Sequence, residues 1–219
     1  ETAGFGASGR NGGWCSALFP ATIASVAKRY GRDGALALAR ALQETVDEVG
    51  KVAALEGIDC HFHKGGTVVA ARSPVQLARA HAEVAEARTW GLDLEPLDAT
   101  RTRARVGASS VLGGTWTPHC AAIHSARLVR GLAFAAERHG VRVHEGTAAR
   151  TIESHVVRTS HGDVSADIVI RATEGFTATL PGLRRRLAPV YSLMLATEPL
   201  SRSMWEAIGL GDRETFNDY

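Results

Sequence analysis

The spacing of apolar positions divides the chain into alternating helical and extended segments. Over residues 32–56, Leu38, Leu42, Val46, Val49 and Ala53 recur at helical spacing, while Gln43, Glu44, Asp47 and Glu48 occupy other faces. This predicts an amphipathic helix ending near Gly57. Residues 58–72 read as two strands folded at Lys64-Gly65-Gly66, with Thr67, Val68 and Val69 supplying β propensity. Ser73 is placed to cap a second helix that has Pro74 in its first turn and Gln76 to complete a capping box, and that runs as far as Trp90. Periodicity then lapses over residues 91–118, where 100–105 suits a short helix and Gly113-Gly114-Thr115-Trp116 suits a loop with one short strand.

The second half is patterned more sharply. Ser125 can cap a helix with Leu128, Val129, Leu132, Ala133 and Ala136 on one side, and Gly140 stands where a left-handed C-terminal residue is wanted. Val141 and Val143 predict a strand over 141–145. Residues 151–159 and 164–172 predict two more, joined by a turn at Ser160-His161-Gly162-Asp163. Within the last of these, Ile168-Val169-Ile170 is an apolar triplet of the kind expected in a strand covered on both faces. The whole alternation predicts an α/β chain, α+β overall.

One segment fits neither period. In Gly4-Phe5-Gly6-Ala7-Ser8-Gly9-Arg10-Asn11-Gly12-Gly13-Trp14-Cys15-Ser16, five of thirteen residues are glycine. Such a backbone can take φ > 0 and approach a bulky group closely, and its N–H groups with Arg10 suit an anion such as a phosphate. A flexible surface turn is the plainer alternative. Gly4-x-Gly6-x-x-Gly9 matches the dinucleotide fingerprint literally, but that motif needs a preceding strand and a helix from its last glycine. Here the glycines continue to Gly13 and Pro20 interrupts the place for the helix, so the segment does not read as a first βα turn.

Composition narrows the function classes. The chain has 219 residues, 45% hydrophobic and 22% charged, which suits one large or two small globular domains. A net charge of +2 with dispersed arginines leaves no nucleic-acid footprint, and Arg184-Arg185-Arg186 is a short solvated run. No apolar stretch is long enough to span a membrane, so neither nucleic acid nor membrane is expected as a partner. Cys15, Cys60 and Cys120 are widely spaced and form no CxxC pair, which points to buried thiols in a reducing cytoplasm. His61 and His63 would share one face of a strand and could begin a metal site, but no third ligand lies at a suitable spacing. His124 and Trp116 suit either an active-site wall or simple packing.

The run Gly4 to Gly13 resembles the second glycine-rich segment of the FAD-dependent amine and amino-acid oxidoreductases, the D-amino-acid oxidase family, and within it the gamma-glutamylputrescine oxidoreductase branch. Ala172-Thr173-Glu174-Gly175 is similar to that family's A-T-x-G turn. Pro181-Gly182-Leu183, followed by residues 189–200 with Met194-Leu195-Ala196-Thr197-Glu198-Pro199, resembles its crossing into the substrate domain. The resemblance implies an incomplete Rossmann-like FAD-binding domain with part of an antiparallel-sheet substrate domain. Residues 1–57 and 119–185 would be FAD-binding portions, 58–118 a substrate-domain portion, and 186–219 the start of a second one.

For FAD, the resemblance implies Ser8, Gly9 and Arg10 beside the diphosphate, Asn11, Gly12 and Gly13 against the flavin ring, and Glu1 in the acidic stretch at the ribose. Ala149 would present its backbone to the adenine, and Ala172, Thr173 and Gly175 would return beside the cofactor. The implied activity is oxidation of a C–N bond in a small amine or amino acid by hydride transfer to flavin N5, with dioxygen or another acceptor taking the electrons. No catalytic residue is assigned. The alternatives are a flavin dehydrogenase serving a protein or quinone acceptor, and a non-catalytic nucleotide-binding module. The chain is expected to be an internal fragment that alone binds FAD poorly and is inactive.

Overall fold

The computed structural model describes residues 1–188 and 190–219; Pro189, which opens the crossing segment inferred from the sequence, lies outside the described residues. The glycine-rich segment runs as turns into β1 (Trp14–Ser16), with no strand before it and no helix starting at Gly9. Helix α1 (Ile23–Leu55) is capped by Thr22, whose hydroxyl accepts from the Ser25 N–H at 3.2 Å. Gly31 interrupts it at φ 75°, ψ 169°. The helix read from the apolar spacing is therefore its second limb, and the limb before Gly31 went unpredicted. Val46 and Ala53 of the predicted stripe are buried.

Strand β2 (Thr67–Ala71) is followed by α2 (Pro74–Trp90). Ser73 caps α2 as expected, its hydroxyl accepting from Gln76 N–H at 3.3 Å. Gln76 does not close the box on Ser73; its side-chain oxygen accepts from Arg72 N–H, one residue earlier, at 2.8 Å. Next come β3 (Glu95–Asp98), which the sequence reading missed, then α3 (Ala99–Arg105), β4 (Gly113–Thr117) and β5 (Cys120–Ala122).

Helix α4 (Ser125–Arg138) corrects the expected cap: His124 is the N-cap, its Nδ1 accepting from Arg127 N–H at 3.4 Å. Gly140 takes the predicted left-handed conformation at φ 86°. Three short antiparallel strands, β6 (Ala149–Ile152), β7 (Val156–Thr159) and β8 (Asp163–Ser165), form a sheet of their own. A 3-10 turn (Glu174–Thr179), α5 (Arg202–Ile208) and β9 (Thr215–Asp218) complete the order.

The main sheet has the order β3-β4-β2-β9, antiparallel except for the parallel pair β2 and β9. Under it, Val68, Leu97 and Val106 are buried, with Ala108, Trp116 and Leu210 packed around them. Each such side chain contributes about 1.5–3 kcal/mol by leaving water. Both edges of β2 are taken, by β4 and β9, so residues 58–63 cannot fold back on it as a hairpin. They instead bridge β5: His63 and Ala122 exchange backbone hydrogen bonds of 3.0 and 2.8 Å. Gly65 and Gly66 are packing positions as well as turn residues, since a Cβ on Gly65 would lie 2.0 Å from the Asp212 carbonyl oxygen.

Two other predicted strands are absent. Residues 141–145 and 166–172 form no ladder, and Ile168 and Ile170 are 79% and 84% exposed. Their apolar pattern suits a sheet, but no neighbouring strand among the described residues offers them a partner, and a lone extended segment has nowhere to place its backbone hydrogen bonds. The long strand expected over 151–159 is instead the β6–β7 hairpin.

Candidate functional site: the glycine-rich cleft

The glycine-rich loop is fixed from both ends. β1 pairs antiparallel with β5, which delivers the loop to the start of α4. Gly13 is buried at φ 70°, its carbonyl accepts from Ile123 N–H at 2.8 Å, and an added Cβ would stand 2.2 Å from the Ile123 carbonyl oxygen. Gly9 lies equally close to Gly4, where a Cβ would meet the carbonyl oxygen at 2.0 Å. Only glycine fits these two positions.

Asn11 ties the loop internally. Its side-chain amide donates to the carbonyls of Ala7 and Ser8 at 3.1 Å each, and its oxygen accepts from Gly13 N–H at 2.9 Å and from the Ser125 hydroxyl at 2.6 Å. Ser125, expected as a helix cap, is thus the buried link between α4 and the loop. Gly4 packs on Val129 and Ala126 of α4, and Gly6 on the Phe176 ring.

With those bonds made, several donors of the loop remain open. The N–H groups of Ser8, Asn11 and Gly12, the Ser8 hydroxyl and the Arg10 guanidinium have no hydrogen-bond partner among the described residues, and Arg10 lies 5.2 Å from the Phe5 ring centroid. Open N–H groups beside a hydroxyl and a guanidinium, with no acidic side chain in the run, fit a diphosphate. The structure thus brings Ser8, Gly9, Arg10, Asn11, Gly12 and Gly13 together.

The other sequence-derived site residues are placed differently. Glu1 is exposed, and its carbonyl accepts from Gly146 N–H at 2.9 Å. Ala149 is exposed on β6 opposite Thr159. Thr173 bonds Thr177 hydroxyl to hydroxyl at 2.7 Å, and Gly175 sits in the 3-10 turn whose Phe176 covers Gly6. That one aromatic contact connects the A-T-x-G segment to the loop.

A cleft of about 300 Å³ opens beside the loop. Gly9 and residues 11–13 form one wall; His61, Ile123, His124, Ser125 and Arg213 form the rest. The His61 and His124 rings meet edge-to-face at 5.9 Å. His61 and Arg213 are two of five non-glycine residues at positive φ among the described residues, at 54° and 52°. These backbones are costly, of order 1–3 kcal/mol each, and persist because surrounding bonds hold them. Here the bonds are His124 N–H to Cys60 carbonyl at 2.7 Å and His63 Nε2 to Asp212 Oδ1 at 2.7 Å, which lash residues 60–63 to the start of α4 and to the turn before β9.

Of the two undecided residues, His124 faces the cleft, while Trp116 packs in the core and donates its indole N–H to the Gly65 carbonyl at 3.2 Å. His61 and His63 diverge because the left-handed backbone at His61 ends the strand geometry that would have aligned them. No group of three or more His, Cys, Asp or Glu side chains among the described residues is arranged to hold a metal. Burial, with Cys120 and Cys60 nearby, pushes the Cys15 thiol up, so it stays protonated and a poor nucleophile. Arg213 was missed entirely: no period or motif marks it, and only the pairing of β9 with β2 carries it to the cleft.

The family profile described as FAD dependent oxidoreductase (DAO) matches residues 1–218, and the chain belongs to this family. It is 32% identical over 207 residues to gamma-glutamylputrescine oxidoreductase of Escherichia coli, covering 92% of this chain and 48% of that protein. It is 28% identical over 215 residues to the "Probable oxidoreductase OrdL" of Haemophilus influenzae, covering 94% of this chain and 50% of that one. The chain therefore spans about half the length of these curated relatives. Among solved structures, glycine oxidase from Geobacillus kaustophilus superposes with a TM-score of 0.62 at 22% identity, over 82% of this chain and 48% of that one, a likeness of fold.

Proposed function

We propose that this chain is part of an FAD-dependent enzyme that oxidises a C–N bond of a small amine or amino acid. The observation that carries the reading is the loop of residues 8–13, which leaves backbone N–H groups and the Arg10 guanidinium open to an anion, in a chain of the FAD-dependent oxidoreductase family. Bound FAD would supply the hydride acceptor, at flavin N5, that no side chain provides, and dioxygen or another acceptor would take up the electrons.

In this reading Ser8, Gly9 and Arg10 hold the diphosphate, and Asn11, Gly12 and Gly13 lie against the ring. Glu1 is at the ribose, Ala149 at the adenine, and Ala172, Thr173 and Gly175 beside the cofactor. The clamped Asn11 amide serves by fixing the Gly12 and Gly13 backbone, which supports a positioning role for its side chain. Residues 1–57 and 119–185 are read as FAD-binding portions and 58–118 and 186–219 as substrate-domain portions. The pairing of β2, β3 and β4 with β9 in one sheet supports the second grouping. The free cysteines support a reducing compartment such as the cytoplasm. No helix among the described residues is long and apolar enough to cross a membrane.

We further read the chain as an internal portion of a longer oxidoreductase, inactive and weak in FAD binding alone. The exposed Ile168 and Ile170 support this. The test is the visible spectrum of the purified chain after incubation with FAD and desalting, repeated on a protein extended at both ends to the length of the relatives. Flavin retained only by the longer protein is the expected result; retention by neither overturns the cofactor reading, and retention by the short chain overturns the fragment reading. Peroxide released during amine turnover marks an oxidase, and turnover without peroxide marks a dehydrogenase.

A further inference from the structure

Three of the four hydrogen bonds on the Asn11 side chain stay inside the loop, to Ala7, Ser8 and Gly13. The fourth reaches 114 residues along the chain, to the Ser125 hydroxyl at 2.6 Å. The Ala7 and Ser8 carbonyls can only accept and the Gly13 N–H can only donate, so the amide has one orientation, its nitrogen on the carbonyls and its oxygen on Gly13 and Ser125. The Ser125 hydroxyl must then donate. It makes no other hydrogen bond among the described residues, and Ser125 is only 6% exposed. Nor does α4 need it as a cap, because His124 already accepts the Arg127 N–H. Two residues earlier, Ile123 N–H donates to the Gly13 carbonyl at 2.8 Å. Between these two anchored positions of the loop lies Gly12, whose N–H is open.

We propose that Ser125 is a positioning residue for the cofactor loop: through Asn11 it holds the Gly12 N–H in its binding orientation before any cofactor arrives. This deepens the functional reading above and rests on it for the identity of the cofactor as FAD. The physical reason is conformational entropy. A run with five glycines in thirteen residues has many backbone conformations, and each one excluded beforehand is one that binding need not exclude. The bonds inside the loop fix its turn, and the bonds to Ile123 and Ser125 fix that turn against the rest of the fold. Because Ser125 reaches the loop by way of the Asn11 amide, its effect must vanish when that amide is removed.

The test uses the purified protein at the full length of its gene product. FAD affinity is titrated by flavin fluorescence in wild type, Ser125→Ala, Asn11→Ala and the double variant, and amide exchange is followed in the cofactor-free proteins. Ser125→Ala should weaken FAD binding about 3- to 10-fold, the range for one neutral hydrogen bond. In the Asn11→Ala background the same substitution should change affinity by less than about twofold, the non-additivity expected when one residue acts through another. Without FAD, exchange at the Gly13 amide, whose acceptor is the same Asn11 oxygen, should quicken several-fold in Ser125→Ala while α4 exchanges as before. Should Ser125→Ala fail to fold by circular dichroism, Ser125→Cys decides, since it keeps the shape and offers only a weak donor. Unchanged FAD affinity, an equal loss in both backgrounds, or unchanged Gly13 exchange overturns the proposal. So does exchange that quickens along α4 as well, which would make Ser125 a residue of helix stability. A wild type that binds no FAD overturns the cofactor reading, and Gly13 exchange alone then decides the clamp; FAD bound equally by wild type and Ser125→Ala overturns the clamp and leaves the cofactor reading standing.

Discussion

The sheet β3-β4-β2-β9 and the stretch from α4 to residue 172 invert what their apolar patterns promise: the more sharply patterned region is the more exposed. In the sheet, Val68 is fully buried and Leu97 and Val106 are 4% and 3% exposed. In the second region Leu132, Val141 and Val164 are 43%, 53% and 53% exposed, and Ile168 and Ile170 on either side of Val169 lie largely in solvent. The first region closes because β9 returns from far along the chain to fill the open edge of β2. The second has no such return among the described residues. Local pattern specifies what a segment can bury; a partner decides whether it does.

The sharpest test of that contrast is a pair of truncations. Leu97→Ala should cost about 2–5 kcal/mol, since a buried leucine leaves a cavity, whereas Ile168→Ala should change stability by no more than about 0.5 kcal/mol. Urea unfolding of both variants measures this, and equal costs would break the comparison. Gly13→Ala should come next, at roughly 1–3 kcal/mol, because the new methyl meets a carbonyl and the backbone is left-handed. It should also abolish FAD retention by the longer protein, checked by the same desalting measurement.

Extending the chain to the length of its relatives should slow hydrogen exchange at 141–145 and 166–172 about tenfold or more, equivalent to roughly 1.4 kcal/mol, while leaving β2 and β4 unchanged. Unchanged exchange in both regions would mean that the open face is native.

Smaller effects probe the sheet's far edge. The Tyr219 hydroxyl donates to Glu83 at 2.8 Å and bonds the Thr115 hydroxyl at 3.1 Å, and burial pushes its pKa well above the usual phenol range. Tyr219→Phe should cost about 1 kcal/mol in thermal or urea unfolding. The smallest effect belongs to Glu56, whose carboxyl is held below its usual pKa by hydrogen bonds from His139 and Arg138 that join the ends of α1 and α4. A depressed carboxylate contributes stability that is present above its unfolded pKa, 4.5, and is lost as pH falls through the lower folded value. Melting temperature measured between neutral and acid pH should therefore fall slightly more in wild type than in Glu56→Gln.

The parts of this fold legible in the sequence are those decided within a dozen residues. The stripe through Val46 and Ala53, the Ser73 cap with Pro74, the turn at Gly140 and the donor-rich loop all follow from local spacing and local chemistry, and the structure has them. The misreadings share a cause. Residues 58–63, 141–145 and 166–172 were assigned from their own composition, yet a strand exists only through its neighbour, and β2 had no free edge to give. The cleft was half legible for the same reason: its glycine wall is contiguous, while His61, His124 and Arg213 meet only after β5 and β9 have paired. Strain at His61 and Arg213 leaves no trace in residue type.

Asn11 precedes Gly12, and asparagine followed by glycine is the pair that most readily loses ammonia through a cyclic imide. The four hydrogen bonds that saturate its amide restrict the side-chain rotation by which its carbonyl carbon would reach the Gly12 nitrogen. Folding thereby protects a chemically perishable bond, and one of the four restraints, the Ser125 hydroxyl, is lost whenever α4 separates from the loop. Once converted to aspartate, the side chain would aim lone pairs at the Ala7 and Ser8 carbonyls and set a negative charge where the loop is built to receive one from outside. The age of a protein sample could then be read at this single position by mass spectrometry.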